Sequence, residues 1–193
     1  MQGGQTDPMQ TNQIVALFEA QGGLSYDGES VTQLQHGWQC GRLAAQAGAT
    51  PALQLAAWLH DVGHLMTGLP GSPTTQGIDD AHEALGAQLL GGLFGPAVGE
   101  PVALHVQAKR YLVAMQAGYR QGLSPDSVRS LALQGGPMTD TEAAAFMLQP
   151  HARDALRVRV WDDLAKDPGQ QPVSVPAALA DLRALMQQVL QAA

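Results

Sequence analysis

Six histidines punctuate the chain, and five of them, His36, His60, His64, His82 and His105, sit among apolar neighbours at helix-like spacing. His60 and Asp61 stand side by side in "AAWLHDVGHL", flanked by Trp58, Leu59, Val62 and Leu65. An imidazole and a carboxylate buried there without partners would be costly. Successive separations between His36, His60, His82 and His105 are 24, 22 and 23 residues, about one helix plus one connection each time. Four helices of a bundle would each bring one imidazole to a shared centre, as bundle metal sites do. One such histidine is adequately explained as a core residue bonded to a backbone carbonyl. Four of them, with Asp61 and with Asp162 of "VWDDLAK", call for a common cause. Coordination to metal replaces the lost hydration of all of them at once. Cys40 is the only cysteine, so no thiolate set exists; four residues after His36, it reads as core packing. Nitrogen and oxygen donors suit iron, manganese or zinc.

The elements that must carry these residues read as helices almost throughout. Thr50-Pro51 is a start signal for a helix expected to run through His64. Ser124-Pro125 repeats it, and Thr139 with Glu142 reads as a capping box before "AAAFML". Glu100-Pro101 is expected to open a helix through Tyr111, and Pro150 another through about Lys166. A final amphipathic helix starts near Pro176, with Leu179, Leu182, Leu185, Met186, Val189 and Leu190 on one side. Met66 to Asp80 and Lys166 to Pro176 read as loops, and the first eight residues as a disordered tail. The expectation is one all-α domain over residues 1–193. A formal net charge of -7 argues against nucleic acid and anionic membrane surfaces. No apolar run has membrane-spanning length, and the start lacks the pattern of a signal peptide, so a soluble cytoplasmic protein is expected.

In chain order, His36, the His60-Asp61 doublet and Asp162 resemble the H…HD…D signature of the HD-domain superfamily. His82 and His105 match the two further histidines of its dinuclear members. The doublet alone is a weak signal; six residues in order are specific. The resemblance implies a helical bundle around two metal ions. His36, His60, Asp61 and Asp162 would hold one ion, and Asp61, His82 and His105 the other, with Asp61 bridging. Asp163 rivals Asp162, but the Trp-Asp pair favours the first aspartate.

Residues outside the ligand set narrow the resemblance. Tyr26 and Glu29 precede His36, Lys109 follows His105 by one turn, and "LSPDSVRSLALQGGPMT" and "RVRVWDDLAK" follow in turn. From Tyr26 to Lys166 the chain is similar to the HD-domain mixed-valent diiron oxygenases of the 2-amino-1-hydroxyethylphosphonate dioxygenase (glycine-forming) type. That resemblance implies two iron ions, Fe(II)/Fe(III), with O2 as co-substrate. A hydroxyphosphonate would chelate one iron, and cleavage of its C–P bond would give glycine and phosphate. Lys109 would neutralise the phosphonate, Arg159 would add a second clamp and Ser127 a hydroxyl. Glu29 would meet the substrate's ammonium. Tyr26 would occupy an iron position when substrate is absent, with His64 holding it there.

Each residue also has a plainer reading. Lys109 has a second reading as a surface lysine, which its place one turn from His105 makes the weaker one. Ser127 reads also as a first-turn residue, and Arg159 as a partner of Asp162 or Asp163. His64 would serve as a helix-end histidine, and Tyr26 and Glu29 as loop residues. His151 has no place in the set and is expected to be exposed. Two rival functions share features with the reading: a metal-dependent HD phosphohydrolase with the same ligands, and a degenerate HD scaffold. The resemblance also admits a trimethylammonio or a simpler hydroxyphosphonate; the former would want an aromatic cage, in which Trp38 could form one wall, and only 5% of residues are aromatic, which leans toward the primary amine. Oligomeric state is not legible.

Overall fold

The computed structural model describes residues 8–26, 28–69 and 73–192, with side chains described from residue 11. Their α-helices, in order, are α1 (Pro8–Gln21), α2 (Gln33–Gln46), α3 (Pro51–Leu59), α4 (Val62–Thr67), α5 (His82–Phe94), α6 (Pro96–Met115), α7 (Pro125–Leu133), α8 (Asp140–Met147), α9 (Ala152–Leu164) and α10 (Val175–Ala192). The described residues contain no strand, only an isolated bridge between Ser25 and Thr32. The all-α expectation holds.

Start signals become helix N-termini. Thr50 and Ser124 accept from the backbone N–H groups of Leu53 and Ser127, and proline takes the first turn of α3 and α7. Thr139 and Glu142 form the expected capping box on α8, and Thr32 with Gln35 forms another on α2.

Several boundaries differ from expectation. The helix begun at Pro51 does not run through His64: α3 ends at Leu59, and α4 restarts after a turn at His60 and Asp61. Asp61 adopts φ -102, ψ 9, between the helical and extended regions. In an unbroken helix adjacent side chains diverge by about 100°; the break lets both face one point. α6 begins at Pro96, not at Glu100-Pro101, so Pro101 lies inside the helix with its ring buried. Its missing N–H forfeits one helical bond. α9 starts at Ala152, past Pro150. The segment from Met66 is not all loop: α4 reaches Thr67, and Pro73–Gln76 form a 3-10 turn. Of the expected tail, residues 1–7 lie outside the described residues, whereas Pro8 opens α1.

The main core gathers Leu55, Leu59, Leu90, Val98, Val102, Val158 and Leu182 between α3, α5, α6, α9 and α10. Each fully buried side chain of this size contributes roughly 1.5–3 kcal/mol. A smaller cluster joins Leu104 and Ala108 of α6 to Phe146 and Ala152. Two close approaches set the helix positions that matter for chemistry. A Cβ on Gly41 would lie 2.7 Å from the Trp58 ring, so glycine lets α2 press against α3. A Cβ on Gly63 would lie 2.0 Å from the carbonyl oxygen of His82, so only glycine lets α4 abut the start of α5.

Candidate metal centre

Those contacts bring six side chains from separate elements to one point. α2 supplies His36, the break after α3 supplies His60 and Asp61, α5 supplies His82, α6 His105 and α9 Asp162. All six are buried. Each imidazole is oriented through Nδ1: His36 to the carbonyl of Ala165 at 2.9 Å, His60 to Ala57 at 2.9 Å, and His105 to Val102 at 2.7 Å. His82 donates to Asp80 Oδ1 at 2.9 Å. These acceptors assign the proton to Nδ1 in all four rings and leave the Nε2 lone pairs facing inward, the second-contact pattern of metal-binding histidines.

The inward atoms form two adjoining pockets. Nε2 of His36 and Nε2 of His60 are 3.4 Å apart, and those of His82 and His105 are 3.1 Å apart. Asp61 stands between the pairs. Its Oδ2 lies 3.2 Å from His60 Nε2 and 3.6 Å from His36 Nε2, while its Oδ1 lies 3.4 Å from His82 and 3.5 Å from His105. Asp162 Oδ1 completes the first pocket, 3.4 Å from His36 Nε2. Metal bonds of about 2.0–2.2 Å separate neighbouring donors by about 3–3.5 Å, so this donor set fits an ion in each pocket. Opposed lone pairs at such distances repel unless a cation lies between them. Cys40 is buried under His36, its Sγ 3.8 Å from Nε2.

The electrostatics favour positive charge at the centre. Burial opposes ionisation of Asp61 and Asp162, yet the charges of His60 and of Arg159 respectively hold them well below the usual carboxylate range. Burial also opposes charge on His82, but hydrogen bonds donated to Asp61 and Asp80 raise it to about 10. His105 is lowered to about 4 by burial, with His60 and His82 adding repulsion and Asp61 opposing. Without metal, protons on the imidazoles balance the two ionised carboxylates; a bound cation would replace those protons and free the Nε2 lone pairs to coordinate it.

Above the centre lies a cavity of about 40 Å³, lined by Tyr26, Asp61, His64, His82, His105, Lys109, Ser127, Arg159 and Asp162 among others. The Tyr26 hydroxyl donates to Asp61 Oδ2 at 2.8 Å and lies 3.4 Å from Asp162 Oδ1, with its ring stacked on His36 at 3.8 Å. Tyr26 therefore covers the first pocket. His64 sits by the second, with Nδ1 2.6 Å from Asp80 Oδ2 and its ring stacked on His82 at 3.8 Å. The hydroxyl that His64 was expected to hold is held by the two carboxylates.

Lys109 is buried rather than a surface residue, and its ammonium donates to Ser130 Oγ at 2.7 Å. Burial, reinforced by Arg159, lowers it to about 7. Arg159 grips Asp162 and Asp163 with one guanidinium and donates through Nε to the Tyr119 hydroxyl at 3.2 Å. Ser127 Oγ accepts from Arg159 Nη2 at 3.3 Å. Asp162, not Asp163, faces the histidines; Asp163 accepts from Tyr119. Glu29 does not line the cavity: its Oε1 faces Lys166 Nζ at 3.7 Å. His151 lies outside the centre and is partly buried, near Asp154, rather than exposed.

One contributor was not anticipated. Asp80 gives one oxygen to His64 and the other to His82. Its position two residues before His82 was a usable signal, although the fold at Ala81, φ 50, is what turns the carboxylate back. Gln134, the first residue of the Gln-Gly-Gly-Pro stretch, lines the cavity with its Oε1 buried and unpartnered among the described residues.

No family model matches the chain. It is 45% identical over 159 residues to a hydroxymethylphosphonate dioxygenase of Gimesia maris, covering 81% of this chain and 79% of that one. It is 37% identical over 155 residues to a [1-hydroxy-2-(trimethylamino)ethyl]phosphonate dioxygenase (glycine-betaine-forming) of Leisingera caerulea, covering 79% and 78%. An uncharacterized protein of Acanthamoeba polyphaga mimivirus is 36% identical over 161 residues, covering 80% and 72%.

Proposed function

Because the chain belongs to the hydroxyphosphonate dioxygenase family, we propose that it uses O2 to cleave the C–P bond of a small 1-hydroxyphosphonate at a dinuclear iron centre. The observation that carries this reading is Asp61, whose two oxygens face two separate histidine pairs. His36, His60, Asp61 and Asp162 would hold one iron, and Asp61, His82 and His105 the other. The irons would supply the O2-binding position and the redox capacity. The overall change balances without an external reductant: R–CH(OH)–PO3H2 and O2 give R–COOH and H3PO4.

The chain's own residues prepare the substrate. Lys109 shares the cavity with the second histidine pair, and at about pH 7 it is poised to take a proton when a phosphonate dianion arrives. Ser127 and Arg159 line the same cavity and would offer further donors to that anion. The Tyr26 hydroxyl lies against Asp61 and Asp162, on the face of the first pocket that a substrate would have to reach. Substrate binding there would displace Tyr26 from Asp61 and couple opening of the first pocket to substrate arrival. Glycine formation from 2-amino-1-hydroxyethylphosphonate is the finer form of this reading, and it requires the amine to reach Glu29.

The test is aerobic incubation of iron-loaded protein with hydroxymethylphosphonate and with 2-amino-1-hydroxyethylphosphonate. Oxygen uptake should match phosphate release one to one. Phosphate release from phosphate esters with no oxygen uptake would instead support a phosphohydrolase.

A further inference from the structure

Glu29 is the one expected substrate contact that lies off the cavity wall, and its carboxylate already has an alkylammonium partner. Lys166 Nζ stands 3.7 Å from Glu29 Oε1, with side chains only 14% and 20% exposed. The same ammonium donates to Ser124 Oγ at 3.5 Å and lies 5.7 Å from the centroid of the Tyr26 ring. Ser124 in turn hydrogen-bonds Ser127, a wall of the cavity, at 3.3 Å. Lys166 is thus held by a carboxylate, a hydroxyl and an aromatic face at the edge of the site.

Resting on the dioxygenase reading above, we infer that Lys166 occupies the place a substrate ammonium would take at Glu29, so that the site selects hydroxyphosphonates with no cationic group. A primary amine on the substrate is chemically the same group as the lysine head. The lysine is covalently attached, so it presents an effective concentration of about millimolar or more without any binding step. A free ammonium must displace it and leave it without a counter-charge. Of the other carboxylates on the cavity wall, Asp79 is solvent-exposed and the rest are engaged. Asp80 is engaged by His64 and His82, Asp126 is engaged by Arg129, and Asp61 and Asp162 belong to the metal centre. Lys109 and Arg159 line the cavity and Lys166 stands at its edge beside Tyr26, so a dianionic phosphonate finds cationic partners there while an ammonium meets a Glu29 that is already paired. Hydroxymethylphosphonate has this chemistry.

The experiment compares the wild type with Lys166→Met, Lys166→Arg and Glu29→Gln, all iron-loaded. It reads the ratio of kcat/KM for hydroxymethylphosphonate over 2-amino-1-hydroxyethylphosphonate, and the ratio of their Kd values from anaerobic spectral titration. The wild type should favour hydroxymethylphosphonate by about tenfold or more, and Lys166→Met should shrink that preference by about tenfold. Lys166→Arg should retain it, and Glu29→Gln should leave it within about twofold, since Glu29 meets no substrate. A wild type that prefers the amine, an unchanged ratio in Lys166→Met, or a tenfold loss of amine binding in Glu29→Gln would overturn the inference. Should Lys166→Met fail to fold, the Glu29→Gln ratio decides. If neither phosphonate consumes oxygen, the dioxygenase reading falls, while the anaerobic Kd ratios still decide the role of Lys166.

Discussion

Replacing Lys109 with methionine should stabilise the metal-free protein while weakening its hold on phosphonate. Lys109 is 3% exposed and falls from 10.5 to about 7, chiefly through burial, with Arg159 adding repulsion. Its folded value lies below its unfolded one, so between these pH values the unfolded chain binds the extra proton. The lysine therefore costs stability below about pH 7, and the cost fades as pH rises toward 10.5. A shift of this size corresponds to about 5 kcal/mol at pH 6 and about 2 kcal/mol at pH 9, as an order of magnitude. Methionine forfeits the hydrogen bond to Ser130, which offsets part of the gain at every pH. The decisive quantity is the slope. Urea unfolding of both proteins across this range should show the variant's advantage shrinking by about 3 kcal/mol from pH 6 to 9. In parallel, methionine should raise the Kd for a phosphonate by about 100-fold, the loss of one partly buried charge-assisted contact. A stability difference independent of pH would refute the reading of Lys109 as a desolvated ammonium awaiting an anion.

Gly63→Ala forces a Cβ to 2.0 Å from the His82 carbonyl and should cost more than about 3 kcal/mol in thermal unfolding, with the His82–His105 pocket losing metal first. Arg159→Lys removes the fork that grips Asp162 and Asp163 together, so metal affinity measured by chelator competition should fall by about 10–100-fold. Tyr26→Phe removes the hydroxyl that covers Asp61 but leaves every donor in place. Its metal content should match the wild type, while the spectrum and the oxidation rate of the resting protein change. No spectral change would remove Tyr26 from any gating role.

Much of the centre could be read from the sequence because four of its residues, His36, His82, His105 and Asp162, lie one to a helix. His36, His82 and His105 each follow their helix's own period, and the doublet at His60 and Asp61 marks where two inward side chains meet. The break between α3 and α4 was not legible. "AAWLHDVGHL" is locally a continuous helix, and only the need for His60 and Asp61 to face one point interrupts it. Pro101 misled for a similar reason: proline is a sound start signal, but burial of its ring lets α6 tolerate it internally. Asp80 needed the left-handed turn at Ala81 before its carboxylate could reach two rings. The setting of Glu29 is decided by Lys166, far away in sequence, and no spacing rule near Tyr26 carries that information. Local patterns located the donors; tertiary placement decided which neighbours neutralise them.

The most direct measurement is iron stoichiometry with Mössbauer and electron paramagnetic resonance spectra, on anaerobically reconstituted wild type and on Asp61→Ala. Two coupled irons per chain are expected in the wild type, with the coupling abolished and occupancy lowered to one iron or fewer in the variant. A single iron per chain in the wild type, or an intact coupled pair without Asp61, would contradict a centre bridged by that carboxylate.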